Sequence, residues 1–254
     1  IAKSIARIHK GNLVNHGIVP MLFEDPADYE KIDLRDELEI ENFLDQIPTR
    51  RVVVKDVTKG FIFKTKLDLT DNELEELFPQ FACIADGSLR QKAQRAMRLA
   101  AQRGCWDWES ILKCPVTLNW MECPVTWVEH VRDVTDACIQ AFAQQEKYFR
   151  QSHVPVSRDL VVAGALLHDI GKLTEFAHVD NQVCHSRNYQ LLRHPLSGAV
   201  IAHEAGLPDE LVHLIAVHSF EGEKSYQTVE SNFVRKLDMF VFENSVWGLQ
   251  KAKS

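Results

Sequence analysis

The sequence lacks long apolar runs, an excess of positive charge and paired cysteines, and each absence argues against a class of protein. Its longest apolar run covers residues 160–167, far short of the ~20 residues that a membrane helix needs. The formal net charge is −7, which argues against a broad nucleic-acid-binding surface. No signal-peptide pattern opens the chain. We therefore predict a cytoplasmic protein with no membrane association.

The cysteines show no metal-binding or disulfide pattern. There are six of them, and none forms a CxxC pair. The tetrapeptide "CPVT" occurs at residues 114–117 and again at 123–126. Zinc ligands usually come as closer pairs with a second pair elsewhere, so we interpret these repeats as proline-directed turns. Reduced thiols in a cytoplasmic protein are the simplest interpretation.

The pattern of apolar residues divides the chain into two segments. Residues 52–57 and 61–67 are rich in β-branched and aromatic side chains, which is typical of two strands around a turn at Lys59 and Gly60. From Asp71 onwards helical periodicity dominates. No Gly/Ser-rich linker separates the two parts. We predict a small α/β segment over residues 1–72 and an all-α domain over residues 73–254, so that the chain as a whole is mainly α.

Histidines and aspartates recur in the second segment in the order H…HD…H…H…D. They are His130, His168, Asp169, His194, His218 and Asp238. The intervals between them are about the length of one helix and a connection, so successive helices could each bring a ligand to one point. A buried carboxylate without a partner would cost several kcal/mol, and a divalent cation would remove that cost. Imidazole and carboxylate donors together suit zinc, iron, manganese or cobalt.

This pattern resembles the HD superfamily of metal-dependent enzymes over about residues 80–250. The stretch "VVAGALLHDIGK" at residues 161–172 is similar to the usual context of that family's His-Asp doublet. The resemblance implies an all-α helical domain and two divalent metal ions (iron, manganese, cobalt or zinc). It implies one ion held by His130, His168 and Asp238, a second held by His194 and His218, and Asp169 bridging them.

The resemblance also implies a phosphohydrolase that acts on a nucleotide or another phosphate ester or anhydride. Asp169 and Lys172 are the candidate catalytic residues, and the ammonium group of Lys172 would suit an anionic substrate. Arg187 and Arg193 flank His194 and are weaker candidates for holding phosphate. One alternative is a mixed-valent di-iron oxygenase that cleaves a C–C or C–P bond. Another is a catalytically silent metal-binding or regulatory module.

The N-terminal segment resembles the last part of the aconitase family's swivelling domain. The resemblance spans about residues 1–70 and is carried by Ala-Arg-Ile-His-x-x-Asn-Leu at residues 6–13 and the following Gly-x-x-Pro stretch. The family's Gly-Ser-Ser-Arg substrate loop and cluster cysteines do not occur in this sequence. We therefore expect neither aconitate hydration nor an iron–sulfur cluster from this chain. We expect either a longer parent chain upstream of Ile1 or a segment retained for packing, self-association or docking.

Overall fold

The structure is a computed structural model that describes residues 1–2, 19, 21–46, 51–66, 71–106, 108–118, 125–179 and 182–247. The chain divides into two compact units, residues 1–69 and 70–254, close to the boundary expected at 72/73. The Ala-Arg-Ile-His stretch that carries most of the N-terminal resemblance lies outside the described residues.

The first unit contains a four-stranded antiparallel sheet. Its strands are β1 (Leu22–Phe23), β2 (Leu38–Glu39), β3 (Arg51–Asp56) and β4 (Phe61–Lys66), in the order β1-β4-β3-β2. A 3₁₀ helix (Pro26–Lys31) and the short helix α1 (Phe43–Gln46) complete the described part of this unit. The two longer strands lie where the sequence predicted them, but β3 is shifted by one residue: it begins at Arg51 and ends at Asp56, and Val57 belongs to the turn. Residue 67, the predicted end of β4, lies outside the described residues.

The core of this unit follows from the alternation of side chains along β3 and β4. Exposed and buried positions alternate through β3, as expected for a strand with one face on a core. Val52 and Val54 of β3 pack with Phe63 of β4, Met21 and Phe23. Apolar burial on one sheet face is therefore what holds this unit together.

The second unit is almost entirely helical. Its α-helices are α2 (Asp71–Leu77), α3 (Gly87–Arg103), α4 (Trp108–Ile111), α5 (Trp127–Gln151), α6 (Arg158–Leu167), α7 (Lys172–Glu175), α8 (Asn188–Leu191), α9 (His194–Glu204), α10 (Asp209–Val217) and α11 (Val229–Phe242). Shorter elements are the 3₁₀ helices Pro79–Cys83 and Phe220–Gly222, the π-helix Glu243–Trp247, and the hairpin of β5 (Phe176–Val179) and β6 (Gln182–His185). The predicted fold class, mainly α with a small α/β segment, is confirmed. Among the described residues, no helix combines the length and apolarity needed to cross a bilayer.

Helix α6 lies at the centre of the helical unit. The Ser157 hydroxyl caps its first turn by accepting a hydrogen bond from the backbone N–H of Leu160. Every residue from Val161 to Leu167 is buried, because α3, α5, α10 and α11 all pack against this helix. A helix that is apolar on all sides is stable only in such a position. The His-Asp doublet follows directly at its C-terminal end.

The ends of other helices bring further polar side chains to the same region. A capping box of Thr126 and Glu129 fixes the start of α5, and His130 lies one turn into that helix. His194 is the first residue of α9, and His218 follows the last residue of α10. Helix termini thus provide several of the candidate ligands, and the interior of α11 provides Asp238.

Candidate metal centre

His130, His168 and Asp238 form the first of two close groups of ligand atoms. The Nε2 atom of His130 lies 3.0 Å from Oδ1 of Asp238 and 3.3 Å from Nε2 of His168. The distance between Nε2 of His168 and Oδ1 of Asp238 is 3.6 Å. Donor atoms that share one ion at about 2.1 Å lie about 3.0–3.5 Å apart at adjacent coordination positions. The three atoms therefore have the mutual spacing that a single cation requires.

Asp169, His194 and His218 form the second group. Oδ1 of Asp169 lies 3.4 Å from Nε2 of His194 and 3.5 Å from Nε2 of His218. The two imidazole rings are 5.3 Å apart between centroids. All three residues are buried. This group therefore also provides two imidazole nitrogens and one carboxylate oxygen around a common point.

The two oxygens of Asp169 face different groups. Oδ1 faces the second group, whereas Oδ2 lies 3.6 Å from Nε2 of His130 and 3.4 Å from Nε2 of His168 in the first group. The side chain is only 2 % exposed. A carboxylate in this position can donate one oxygen to each of two ions. The geometry is thus the one expected for the bridging role that the sequence resemblance implies.

Hydrogen bonds at Nδ1 fix the orientation of three of the four imidazoles. His168 donates from Nδ1 to the carbonyl oxygen of Ala165, and His218 donates to that of Ile215, each at 2.7 Å. The Nδ1 atom of His194 lies 3.0 Å from Oε2 of Glu175. Carbonyl and carboxylate oxygens only accept hydrogen bonds, so Nδ1 carries the proton in each case. In the neutral ring Nε2 is then a lone pair, which is the form that binds metal.

The electrostatic environment of the first group favours a cation. Burial lowers the pKa of His168, but the carboxylates of Asp169 and Asp238 outweigh it and raise that pKa to about 10. Burial raises the pKa of Asp238, but His168 and His130 outweigh it and hold that pKa far below its usual range. Both carboxylates are therefore ionised at neutral pH. Without a metal ion, a proton on His168 provides the positive charge that this point attracts, and a bound cation would displace that proton.

The residues present fit a pair of divalent cations. At His194 and His218, Nε2 faces a carboxylate oxygen at 3.4–3.5 Å, and a cation between these atoms would bind the two nitrogens and the oxygen together. Burial lowers the pKa of His194, so a proton on that imidazole is a poor substitute. The mixed nitrogen and oxygen donors suit iron, manganese, cobalt or zinc.

The backbone of the doublet is held by two contacts from outside it. The indole Nε1–H of Trp127 donates to the carbonyl oxygen of Asp169 at 3.1 Å. Gly171 packs so closely on the start of α9 that a Cβ atom there would lie 2.0 Å from the carbonyl oxygen of His194. The glycine of the "HDIGK" stretch therefore allows the doublet to approach His194.

Lys172 contacts the carboxylate of Asp169, the candidate bridge between the two groups. Its Nζ lies 2.6 Å from Oδ2 of Asp169 and 6.0 Å from the centroid of the Phe242 ring, and its side chain is 12 % exposed. The structure thus places the ammonium group at the edge of the candidate centre, next to the carboxylate of a candidate ligand. Of the two arginines considered with it, Arg193 reaches Glu175 and Glu221 through Nε, at 3.6 and 3.4 Å. Arg187 is exposed.

All six candidate ligands named from the sequence lie together in the structure, but two supporting residues were not foreseen. Glu175 orients His194, and Trp127 holds the backbone of Asp169. The only sequence feature that could have indicated a buried Glu175 is its position between the apolar residues Leu173 and Phe176. Trp127 carries no signal, because its partner is distant in sequence. Both residues depend on contacts that only the folded chain shows.

Comparison with known families identifies this part of the chain. The family model described as HD domain matches residues 128–241. These residues form an HD domain. The domain is that of a superfamily of metal-dependent hydrolases, and the match contains all six candidate ligands. The match thus confirms the resemblance suggested by the doublet.

The N-terminal region is similar to the C-terminal segments of aconitases. One relative, "Probable aconitate hydratase, mitochondrial" of Dictyostelium discoideum, is 38 % identical over 74 residues, which are 28 % of this chain and 10 % of the relative. "Aconitate hydratase, mitochondrial" of Emericella nidulans is 43 % identical over 91 residues, 35 % of this chain and 11 % of the relative. The "Aconitase-ribosomal protein bL21m fusion protein" of Schizosaccharomyces pombe is 43 % identical over 63 residues, 22 % of this chain and 7 % of the relative.

The chain thus spans about a tenth of the length of these curated relatives. No solved structure matches the chain. The cytoplasmic location expected from the sequence stays a prediction.

Proposed function

We propose that this chain is a metal-dependent phosphohydrolase that acts on a nucleotide or another phosphate ester or anhydride through a binuclear centre. The observation that carries the proposal is the division of the Asp169 oxygens between two groups of histidines. A cluster of histidines that served only to stabilise the fold would not require a central carboxylate with one oxygen directed at each group. The HD domain, whose family is generally one of metal-dependent hydrolases, supports the same reaction class.

The ligand residues hold their lone pairs toward two common points, and burial keeps competing water away from them. Divalent cations held there would make a water molecule more acidic and would offset negative charge on phosphoryl oxygens. Lys172 would add a positive charge at the edge of the same site. His130 and His168 are fully buried, whereas His194, Asp238 and Lys172 retain some exposure. Substrate would therefore approach from the side of these three residues.

An activity screen tests the reaction class. The purified chain would be loaded with manganese or with iron and incubated with nucleotides, phosphate esters and small phosphonates, with and without oxygen. The expected result is release of phosphate with manganese under anaerobic conditions. Asp169→Ala should abolish that release, while Asp133→Asn, an exposed position on the same helix as His130, should leave it unchanged.

A second candidate function is oxygen activation by a di-iron centre. The observation that favours it is the ligand set itself, since imidazole and carboxylate donors in both groups suit iron. An oxygenase would require iron and would consume oxygen while it cleaves a C–C or C–P bond of its substrate. Oxygen uptake without anaerobic hydrolysis would therefore replace the phosphohydrolase with this alternative. Tight metal binding without any turnover would instead indicate a regulatory module.

A further inference from the structure

Glu175 contacts both Ser186 and His194, the latter at the far end of the segment that follows the His-Asp doublet. It is the last residue of α7 and is 2 % exposed. Its Oε2 atom accepts hydrogen bonds from the backbone N–H of His194 at 2.7 Å and from Nδ1 of His194 at 3.0 Å. Its carbonyl oxygen accepts from the backbone N–H of Ser186 at 2.8 Å. One residue thus fixes both the fold of the intervening segment and the imidazole at its end.

Both oxygens of the Glu175 carboxylate have partners. Oε2 accepts from His194, and Nε of Arg193 lies 3.6 Å from Oε1. A carboxylate oxygen in such an ion pair accepts hydrogen bonds, so Nδ1 of His194 donates the proton of its bond to Oε2. The opposite ring nitrogen, Nε2, then faces Oδ1 of Asp169 at 3.4 Å.

His194 differs from the other oriented histidines in the source of its partner. His168 and His218 use carbonyl oxygens of the helices that they follow. His194 begins a helix, and the carbonyl groups of that helix point away from its start. Its orientation therefore depends on a side chain from another helix, α7. Removing that side chain should affect the second group of ligands and leave the first group in place.

We propose that Glu175 is a positioning residue for the second metal ion, acting through the orientation and tautomer of His194. This inference deepens the proposed function and depends on its two-metal site. Carboxylates that accept from the free N–H of a metal-binding imidazole raise its basicity and fix its ring, and their loss typically weakens metal affinity about 10- to 100-fold. The role is distinct from catalysis, because Glu175 acts on the site through His194.

Cobalt binding provides a test that needs no substrate. The chelator-treated full chain would be titrated with Co²⁺, followed by visible absorption and calorimetry, for the unmodified chain, Glu175→Ala, Glu175→Gln and the control Glu221→Gln. Oε1 of Glu221 lies 3.4 Å from the same Nε atom of Arg193, so the control removes a neighbouring carboxylate and keeps the one that accepts from His194. We expect Glu175→Ala to weaken the second ion about 10- to 100-fold and to spare the first. Glu175→Gln keeps an acceptor oxygen and should restore most of the affinity, and Glu221→Gln should bind as the unmodified chain does.

The possible outcomes distinguish a failure of the role of Glu175 from a failure of the two-metal site on which that role depends. Equal binding of both ions by Glu175→Ala and the unmodified chain would overturn the role of Glu175 alone. Equal weakening by Glu175→Gln and Glu175→Ala, or loss of both ions together, would also overturn it, because acceptance by Oε2 would then not be what matters. An unmodified chain that binds fewer than two ions would overturn the two-metal site itself.

Discussion

His168 and His218 are oriented by the same local arrangement at the ends of two different helices. Each follows the last residue of its helix, α6 or α10, and each donates from Nδ1 to the carbonyl oxygen three residues earlier, at 2.7 Å. The last carbonyl groups of a helix have no amide partner within it, so they are free to accept from a buried imidazole. Their rings meet at 5.1 Å, and their Nε2 atoms face the two oxygens of Asp169.

Gly171→Ala should disrupt the contact between the doublet and α9. The new Cβ would lie 2.0 Å from the carbonyl oxygen of His194 and 2.7 Å from Oγ of Ser197, so backbone must move. We expect a loss of about 1–3 kcal/mol or more in the free energy of unfolding, measured by urea denaturation. Gly87→Ala is the matched control, since a Cβ there meets nothing within 4 Å. An unchanged denaturation midpoint for Gly171→Ala would contradict the close packing of Gly171 on the backbone of His194.

The sequence indicated which polar residues lie together better than it indicated what supports them. The order H…HD…H…H…D could be recognised because each candidate ligand is a polar residue type that is seldom buried without a partner. The spacing of one helix per ligand then indicated that all of them meet, which the positions of His130, His168 and Asp238 illustrate. The boundary of the helical unit was visible because hydrophobic periodicity changes from strand-like to helical near Asp71.

The supports could not be predicted because they are defined by tertiary contacts. A glutamate in a short apolar stretch, such as Glu175, is as consistent with a helix end in water as with a buried partner of His194. The acceptors of His168 and His218 are the backbone carbonyl oxygens of Ala165 and Ile215. Every residue has such an oxygen, so the residue type at these positions gives no indication of the contact. The close approach at Gly171 likewise depends on where α9 packs.

Trp127→Phe should weaken the support of the doublet without removing a ligand. The change deletes the Nε1–H that donates to the carbonyl oxygen of Asp169, which then keeps the backbone N–H of Lys172, at 3.0 Å, as its donor. We expect a loss of about 0.5–1.5 kcal/mol in the free energy of unfolding, together with weaker Co²⁺ binding. Trp106→Phe removes a similar bond to the carbonyl oxygen of Leu173, and it should cost stability while affecting Co²⁺ binding less. Equal effects of the two variants on Co²⁺ binding would argue against a specific role for Trp127.

Lys172→Met tests the proposed contact with an anionic substrate. Methionine preserves the length of the apolar stem and removes the ammonium group that lies 2.6 Å from Oδ2 of Asp169. We expect hydrolysis of 4-nitrophenyl phosphate or a nucleotide to fall about 100-fold, with the metal content unchanged. Lys113→Met, at an exposed position, is the control. Turnover equal to that of the unmodified chain would remove Lys172 from the candidate catalytic residues.

Thiol labelling tests the packing around the centre. Cys105 and Cys184 are exposed, whereas Cys114 and Cys138 are buried. Burial raises the pKa of the Cys114 and Cys138 thiols above the usual range, so neither forms the reactive thiolate at pH 8. Iodoacetamide should therefore label the first pair in the folded chain and the second pair only after unfolding, as mapped by mass spectrometry. Labelling of Cys114 in the folded chain at the rate of Cys184 would contradict the packing.

Metal content is the most direct measure of the central claim, a binuclear centre bridged by Asp169. The chain, purified without chelator, would be analysed by inductively coupled plasma mass spectrometry beside the double variant His194→Ala/His218→Ala. His203→Ala is the control, because His203 is an exposed residue near the end of α9. The account predicts about two ions per chain for the unmodified protein and the control, and about one for the double variant. A double variant that keeps the full complement, or an unmodified chain that holds no more than one ion, would contradict it.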